Sequence, residues 1–440
     1  MRPRFAASFF LLFLLVSTHN LYANTDPQAL ALKAVSENSA ESAPSIAELR
    51  ALGPAGLHAL FKFHAKEISE QVSTPLLATT PEWQRLSEAL DAVSQQKDSY
   101  LSGLYWYTDF EKAKLAARAT GKPILSLRLL GKLSEEYSCA NSRFFRTILY
   151  SNAEVSQMLR EKFILHWESE RPAPRVTIDF GDGRKLERTL TGNSIHYILD
   201  TSGRPLDALP GLYGPGAFLR SLGRAEAAFK QFNEPGKKFE APAYQLARLN
   251  AINVAWLADI QKTGGKIPNG IVIMQDRNGV PTAVQAAALA RTKVVTEANV
   301  LNSMLAGGQV LENVTDEDTW QKIAQLHMAD ARLDARSRGL IQRQTQKALA
   351  ADGGERATRQ ALANLVQKLE MNIAFDTVRN EYLFHNRIYA WLIDDRGNND
   401  LNKLNKKVYA QLFLTPASDP WLGLFSPETY MALDNSGVSK

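Results

Sequence analysis

The chain has 440 residues, 45% of them hydrophobic and 22% charged. That is enough for two or three domains with real apolar cores and too apolar for wholesale disorder. The formal charge of +5 is modest and falls by two if Arg2 and Arg4 leave with a leader; no basic run is interleaved with aromatics, so nothing points to nucleic acid.

Residues 1–23 open with Arg2 and Arg4, run through apolar Phe5 to Val16 and reach the small residue Ala23. This pattern predicts a secretory signal peptide and an exported protein, periplasmic or secreted. An uncleaved anchor is the competing reading, because Leu21 is unfavourable two positions before Ala23. No later run reaches the ~18 apolar residues of a spanning helix, so no membrane span is expected after cleavage. Export implies an oxidising compartment, yet the chain holds one cysteine, Cys139. It is inert by burial, joined to another molecule, or kept for chemistry.

Residues 24–44 are rich in Ala, Ser, Glu and Asn with little periodicity and read as a flexible lead-in. Residues 45–100 read as a helical segment: Ile46, Leu49, Leu52, Leu57, Leu60 and Phe61 recur at helical spacing, broken by Gly53-Pro54, and Pro81 to Asp98 forms another amphipathic helix. Residues 101–232 alternate helix and strand. Asp109 to Thr120 is a helix with an acidic cap, followed by a strand from Pro123 to Leu130, a loop to Cys139, helices over Ala140–Leu149 and Ala153–Lys162, and a strand from Phe163 to Trp167. A polar bend spans Glu168 to Pro174. Alternation on both sides of Gly181-Asp182-Gly183 predicts a hairpin; strands Ile195–Leu199 and Pro205–Leu209 and a helix from Gly214 to Phe229 complete an α/β sandwich. Residues 233–242 read as a linker. Residues 243–440 read as mainly α-helical, with helices over 243–263, 282–306, 316–330, 333–350 and 356–393, a short hairpin at Ile271–Gln275 with Asn278-Gly279, and a tail folded back over the helices.

Within 105–222 the residues carry a resemblance. Gly121-Lys122-Pro123 leads into the apolar strand; Ser151-Asn152-Ala153-Glu154-Val155 and Lys162-Phe163-Ile164 follow at the right distance. On these residues the segment resembles the thioredoxin-like superfamily, in particular its exported members. The resemblance implies an α/β thioredoxin-like sandwich flanked by an N-terminal helical segment and a mainly α-helical C-terminal region. It places Cys139 on the family's nucleophilic cysteine and Ser142 on its second one, giving Cys139-Ala140-Asn141-Ser142, a CxxS. Asn193 and Ser194 fall where the family carries a cis-proline loop that presents backbone to an extended substrate, and Ser138 stands where a Trp often precedes the first cysteine. Without a second thiol, a self-contained dithiol–disulfide cycle is impossible.

A thiol at the start of a helix is favoured as thiolate by the dipole. A lone thiolate attacks disulfides, sulfenic acids or peroxide and then needs an external thiol reductant. Ser142 is the expected hydrogen-bond donor to it. His166 and His196, on the strands flanking the one that leads to Cys139, are candidate assisting bases. The competing role for each is packing: a buried small side chain for Cys139 and a satisfied strand imidazole for each His. No metal ligand set is expected, since His58 and His64 are not at i, i+4 spacing and His327 and His385 stand isolated in sequence. No cofactor motif is present. The aromatic and Arg-bearing stretch from Met371 to Trp391 reads as helix packing, with a partner surface as the other reading. Two functions follow: a monothiol redox protein acting on protein thiols, disulfides or peroxide, or a non-catalytic thioredoxin-fold binding or assembly protein whose helices carry the partner surface.

Overall fold

The computed structural model describes residues 26–76, 78–189, 192–232, 241–265, 311, 315–349, 355–394, 400–422 and 432–438. The leader, the 282–306 helix and the hairpin expected near 271–279 lie outside these described residues.

The chain opens with five helices: α1 (Pro27–Lys33), α2 (Ser39–Ala51), α3 (Pro54–Phe63), α4 (Ala65–Ser73) and α5 (Pro81–Ser94). The expected flexible lead-in is therefore helical over Pro27–Lys33 and again from Ser39 on. Asp26 and Asn38 cap α1 and α2 by accepting from the Gln28 and Ala40 amides. Burial of Leu30 and Leu49 supplies the stabilisation that the weak periodicity did not announce. Gly53, at φ +70°, and Pro54 at the first position of α3 make the break between α2 and α3. Leu57, Leu60, Leu86, Leu90 and Val93 complete a small core.

The α/β unit holds β1 (Trp106–Tyr107), α6 (Phe110–Thr120), β2 (Ile124–Leu130), α7 (Ala140–Phe144), α8 (Ala153–Lys162) and β3 (Ile164–Arg171). It continues with β4 (Arg175–Asp179), β5 (Lys185–Thr189), β6 (Ser194–Leu199), β7 (Pro205–Pro210) and α9 (Pro215–Phe232). The sheet order is β1-β3-β2-β6-β7. β1, β3 and β2 are parallel, β6 runs antiparallel to β2, and β7 antiparallel to β6. β2, β6 and β7 are buried throughout, as a sheet covered on both faces requires. Strand β3 runs on to Arg171, through the expected polar bend, because Glu168 pairs in register with Arg128 and forms an ion pair with its guanidinium. The β4–β5 hairpin forms as the Gly181/Gly183 pattern predicts, with both glycines at positive φ.

Past residue 240 the described chain is helical: α10 (Ala241–Lys262), α11 (Glu317–Leu326), α12 (Ala335–Leu349), α13 (Glu355–Arg379), α14 (Asn386–Asp394) and α15 (Leu401–Lys407). Ala241 and Pro242 start α10 rather than ending the linker. Wide π-type turns at Asn380–His385 and Val408–Leu412 interrupt the α-helical ladder. Among the described residues no helix is long and apolar enough to cross a membrane.

These helices share one continuous apolar core with the sheet. Asp334 ties the two together: one carboxylate oxygen accepts from the Ala153 amide (2.8 Å) at the start of α8, the other from the Ser337 amide (2.8 Å) at the start of α12. The turn from β7 to α9 is approached so closely that glycine is required. A Cβ at Gly211 would lie 2.6 Å from the Asn380 side chain, and one at Gly214 would lie 2.4 Å from the Asp330 carbonyl oxygen.

Candidate functional site

Cys139 sits between β2 and α7, and its amide donates to the Leu130 carbonyl (3.0 Å). It is completely buried, and its sulfur makes no hydrogen bond among the described residues. Ser142, expected to support the thiol, donates to the Cys139 carbonyl (2.9 Å) and is hydrogen bonded to the Ser138 hydroxyl (2.5 Å). Both serines thus satisfy each other and the backbone and leave the sulfur alone. The cations of the same turn point elsewhere, Arg143 to Thr189 Oγ1 (2.8 Å) and Arg146 to the Glu136 carbonyl (3.3 Å).

The strand pairing puts the two histidines on opposite faces of the sheet. His196 is in register with Leu127, and His166 with the neighbouring Ser126, and side chains alternate along a strand. His196 faces the cysteine side, packed against Phe145 (4.5 Å between ring centres) and Phe218 (5.1 Å). Its Nε2 is hydrogen bonded to the Tyr150 hydroxyl (2.6 Å), and its Nδ1 is buried with no partner. Burial pushes this imidazole down to about 3, so it is neutral at physiological pH. His166 packs on Phe110 of α6, with Nδ1 2.9 Å from Ser126 Oγ, and burial, then Arg128, lowers it to about 3. The expectation that either imidazole assists the thiol fails for His166, which faces the other layer. His196 shares the thiol's layer but has no hydrogen bond to it.

Asn193 and Ser194 were expected to line a substrate groove. The chain itself fills that place. The Tyr409 hydroxyl donates to the Asn193 carbonyl (3.3 Å), and the Asn193 amide group donates to Thr415 Oγ1 (3.0 Å). Arg171, at the end of β3, holds the same segment through the carbonyls of Thr415 (3.0 Å) and Asp419 (2.8 Å). The C-terminal segment therefore lies against β3 and the loop before β6. Burial first, then Glu170 and Cys139 nearby, hold the Tyr409 phenol well above its ordinary value. Ser194 Oγ is buried without a partner, while its carbonyl accepts from the Gly211 amide (2.8 Å).

A second polar cluster lies where the helices after residue 240 meet β7 and α9, and the two histidines isolated in sequence are at its centre. His385 bridges Asp207 (Nε2 to Oδ1, 2.8 Å) and Glu381 (Nδ1 to Oε2, 3.0 Å). Asp207 also accepts from the hydroxyls of Tyr389 and Tyr244, each at 2.8 Å. Burial alone would lower the His385 pKa, but the two carboxylates outweigh it and hold it up at about 9. His327 lies between Asp259 (2.6 Å) and Asp330 (3.4 Å), whose hydrogen bonds raise it to about 9 against partial burial. Asp330 also pairs with Arg220 of α9. One signal for the first cluster was in the sequence: Glu381, His385 and Tyr389 recur at i, i+4 and i+8, a polar stripe on an otherwise apolar stretch. Among the described residues no three His, Cys, Asp or Glu side chains converge as a metal site requires.

No protein-family model matches the chain, and no curated protein matches it.

Proposed function

We propose that this is an exported, thioredoxin-like protein whose α/β unit serves as a non-catalytic binding or assembly module. The sheet order supports the fold reading, with three parallel strands followed by two antiparallel ones and Cys139 at the start of α7, the helix that follows the central strand β2. The β4–β5 hairpin stands in the crossover between β3 and β6, and Tyr197 of β6 reaches Asn405 of α15 (3.2 Å), so a C-terminal helix covers sheet there. Residues 1–16 support the export reading through their charged and apolar pattern.

One observation carries the non-catalytic reading. The thiol is buried without a hydrogen bond among the described residues, and Tyr409, near enough to feel it, belongs to a segment of its own chain fastened to Asn193 by Tyr409 and Thr415. There the sulfur has neither water nor a partner beside it, and Arg143 and Arg146, the cations of the same turn, are turned to Thr189 and the Glu136 carbonyl. Monothiol redox chemistry on protein thiols, disulfides or peroxide requires that segment to lift and an external reductant to restore the thiol. Alkylation of the native protein with iodoacetamide between pH 7 and 9 decides between them. The expected result is no Cys139 adduct until denaturant is added. Modification of the folded protein at the rate of a free thiol would sink the binding reading and restore the redox one.

A further inference from the structure

Between the N-terminal helices and the β1 edge of the sheet lies a cleft of about 800 Å³. That volume falls in the ~300–1,000 Å³ range of small-molecule sites. Its walls are apolar: Leu57 and Phe61 of α3, Ile68 of α4, Leu159 of α8, and Phe163 and Leu165 beside and on β3. Most of these are buried residues that still line open space, so the two units meet without closing on each other here. The charged groups that line the cleft are all basic. Lys122, Arg160 and Arg336, together with His58, border it, and its lining contains no Asp or Glu.

Both arginines are exposed at the cleft rim, and each hydrogen bonds to backbone. Arg160 donates to the Ser102 carbonyl, and Arg336 to the Leu101 carbonyl (3.4 Å). Among the described residues neither has a carboxylate within ion-pair distance, whereas Arg85, Arg128, Arg204, Arg220 and Arg338 all do. They are near enough to feel each other: burial, then the Arg336 charge, lowers the Arg160 pKa. Gly103, at φ +61°, brings the chain under this pair, with the positions of Phe61 and Arg160 both within 4 Å of where its Cβ would be. Tyr107 lines the same cleft, and its hydroxyl makes no hydrogen bond among the described residues.

We infer that this cleft binds a long-chain fatty acid, its alkyl chain against Leu57, Phe61 and Leu159 and its carboxylate on Arg160 and Arg336. Two like charges beside an apolar channel, with Glu161 near Arg160 but no carboxylate within ion-pair distance of either among the described residues, are complementary to one anionic head on one apolar tail. The inference deepens the binding reading above and rests on it. Asp and Glu are absent from the lining, so a cationic amphiphile meets only repulsion there.

Calorimetric titration of the full chain with dodecanoate and tetradecanoate, below their micellar concentrations, tests this. Saturable binding is expected, with about fourfold gain per methylene buried. Dodecyltrimethylammonium is expected not to bind. The double variant Arg160→Gln/Arg336→Gln should weaken dodecanoate at least tenfold while leaving 1-dodecanol unchanged. Ser69→Trp, at an exposed position on the cleft wall, should block both ligands and keeps the test open if the arginine variant fails to fold. The assignment is overturned if the native chain binds no fatty acid, if the cationic amphiphile binds as well, or if only a peptide with a free C-terminal carboxylate is taken up. Failure here with Cys139 still protected sinks the cleft alone, whereas alkylation of native Cys139 sinks the binding reading itself.

Discussion

Cys139 differs from a reactive thiol in what surrounds it. Its neighbours are carbon, two serines bonded to each other, and a buried neutral imidazole on the same layer. A side chain in that setting is selected by volume, so Cys139→Ser, which puts a hydroxyl where the sulfur finds no partner, should cost about 1–3 kcal/mol. Cys139→Ala should cost less, and urea melts of the two variants check the order. Equal stability of wild type and the serine variant would mean that water reaches the site. Tyr150→Phe strips from His196 Nε2 its only partner among the described residues and should cost a comparable amount, about 1–3 kcal/mol for a buried group left unsatisfied. Neither outcome was readable from residue spacing. The cysteine, its loop and both histidines could be placed on their strands and helices, but the face each imidazole takes depends on one residue of register between β2, β3 and β6. A shift of one position exchanges Ser126 for Leu127 and so exchanges the layers.

At the scale of elements, the widened turn at Asn380–His385 directs Glu381 and His385 together toward β7, and the resulting array fastens α13 and α14 to the sheet. Its pH dependence has a definite sign. His385 is raised from 6.5 to about 9 on folding, so its contribution is complete below about pH 6.5 and is lost as the pH rises through 9. Asp207 and Glu381 are both lowered, burial being outweighed chiefly by His385, so their contribution holds above the ordinary carboxylate range and is lost as the pH falls below it. The difference in thermal stability between wild type and His385→Gln should therefore be largest from about pH 4.5 to 6.5 and shrink as the pH rises through 9, which melts of the two proteins across that range check. Removing one member of such a buried array costs about 3–5 kcal/mol, which is the loss expected for Asp207→Asn. This element was hidden because its members lie far apart: Asp207 and His385 are separated by 178 residues. Period-two and period-3.6 patterns report which face of a segment is apolar, and they carry no information on which polar residues meet across the core. The C-terminal segment is a second such case. Arg171→Ala or Tyr409→Ala should loosen it from β3 and Asn193 and raise the alkylation rate of Cys139 in otherwise folded protein.

For the molecule as a whole, strands β2, β6 and β7, the β4–β5 hairpin and the order of helices between 101 and 232 were legible, because alternation and turn residues are local signals; the two-residue β1 (Trp106–Tyr107) was not, being too short to show a period. The helices over 27–44 were not, since they depend on burial against α3 and α5 more than on their own pattern. A further consequence concerns cooperativity. The sheet and the helices after 240 bury one apolar core, so calorimetry should show them melting in a single transition, and a fragment ending at residue 232 should lose its near-ultraviolet dichroism. The β7–α9 turn gives that unity a history. Gly211 and Gly214 leave just enough room for Asn380 and for the backbone at Asp330, so a methyl group added at the first must displace the Asn380 side chain and one added at the second must displace main chain. Any lineage that exchanged its helical half for a foreign one would inherit a glycine hollow with nothing to fill it, and any that enlarged the glycines would evict its own helices. The two halves of the chain are thus bound to diverge in step, residue answering residue across that turn.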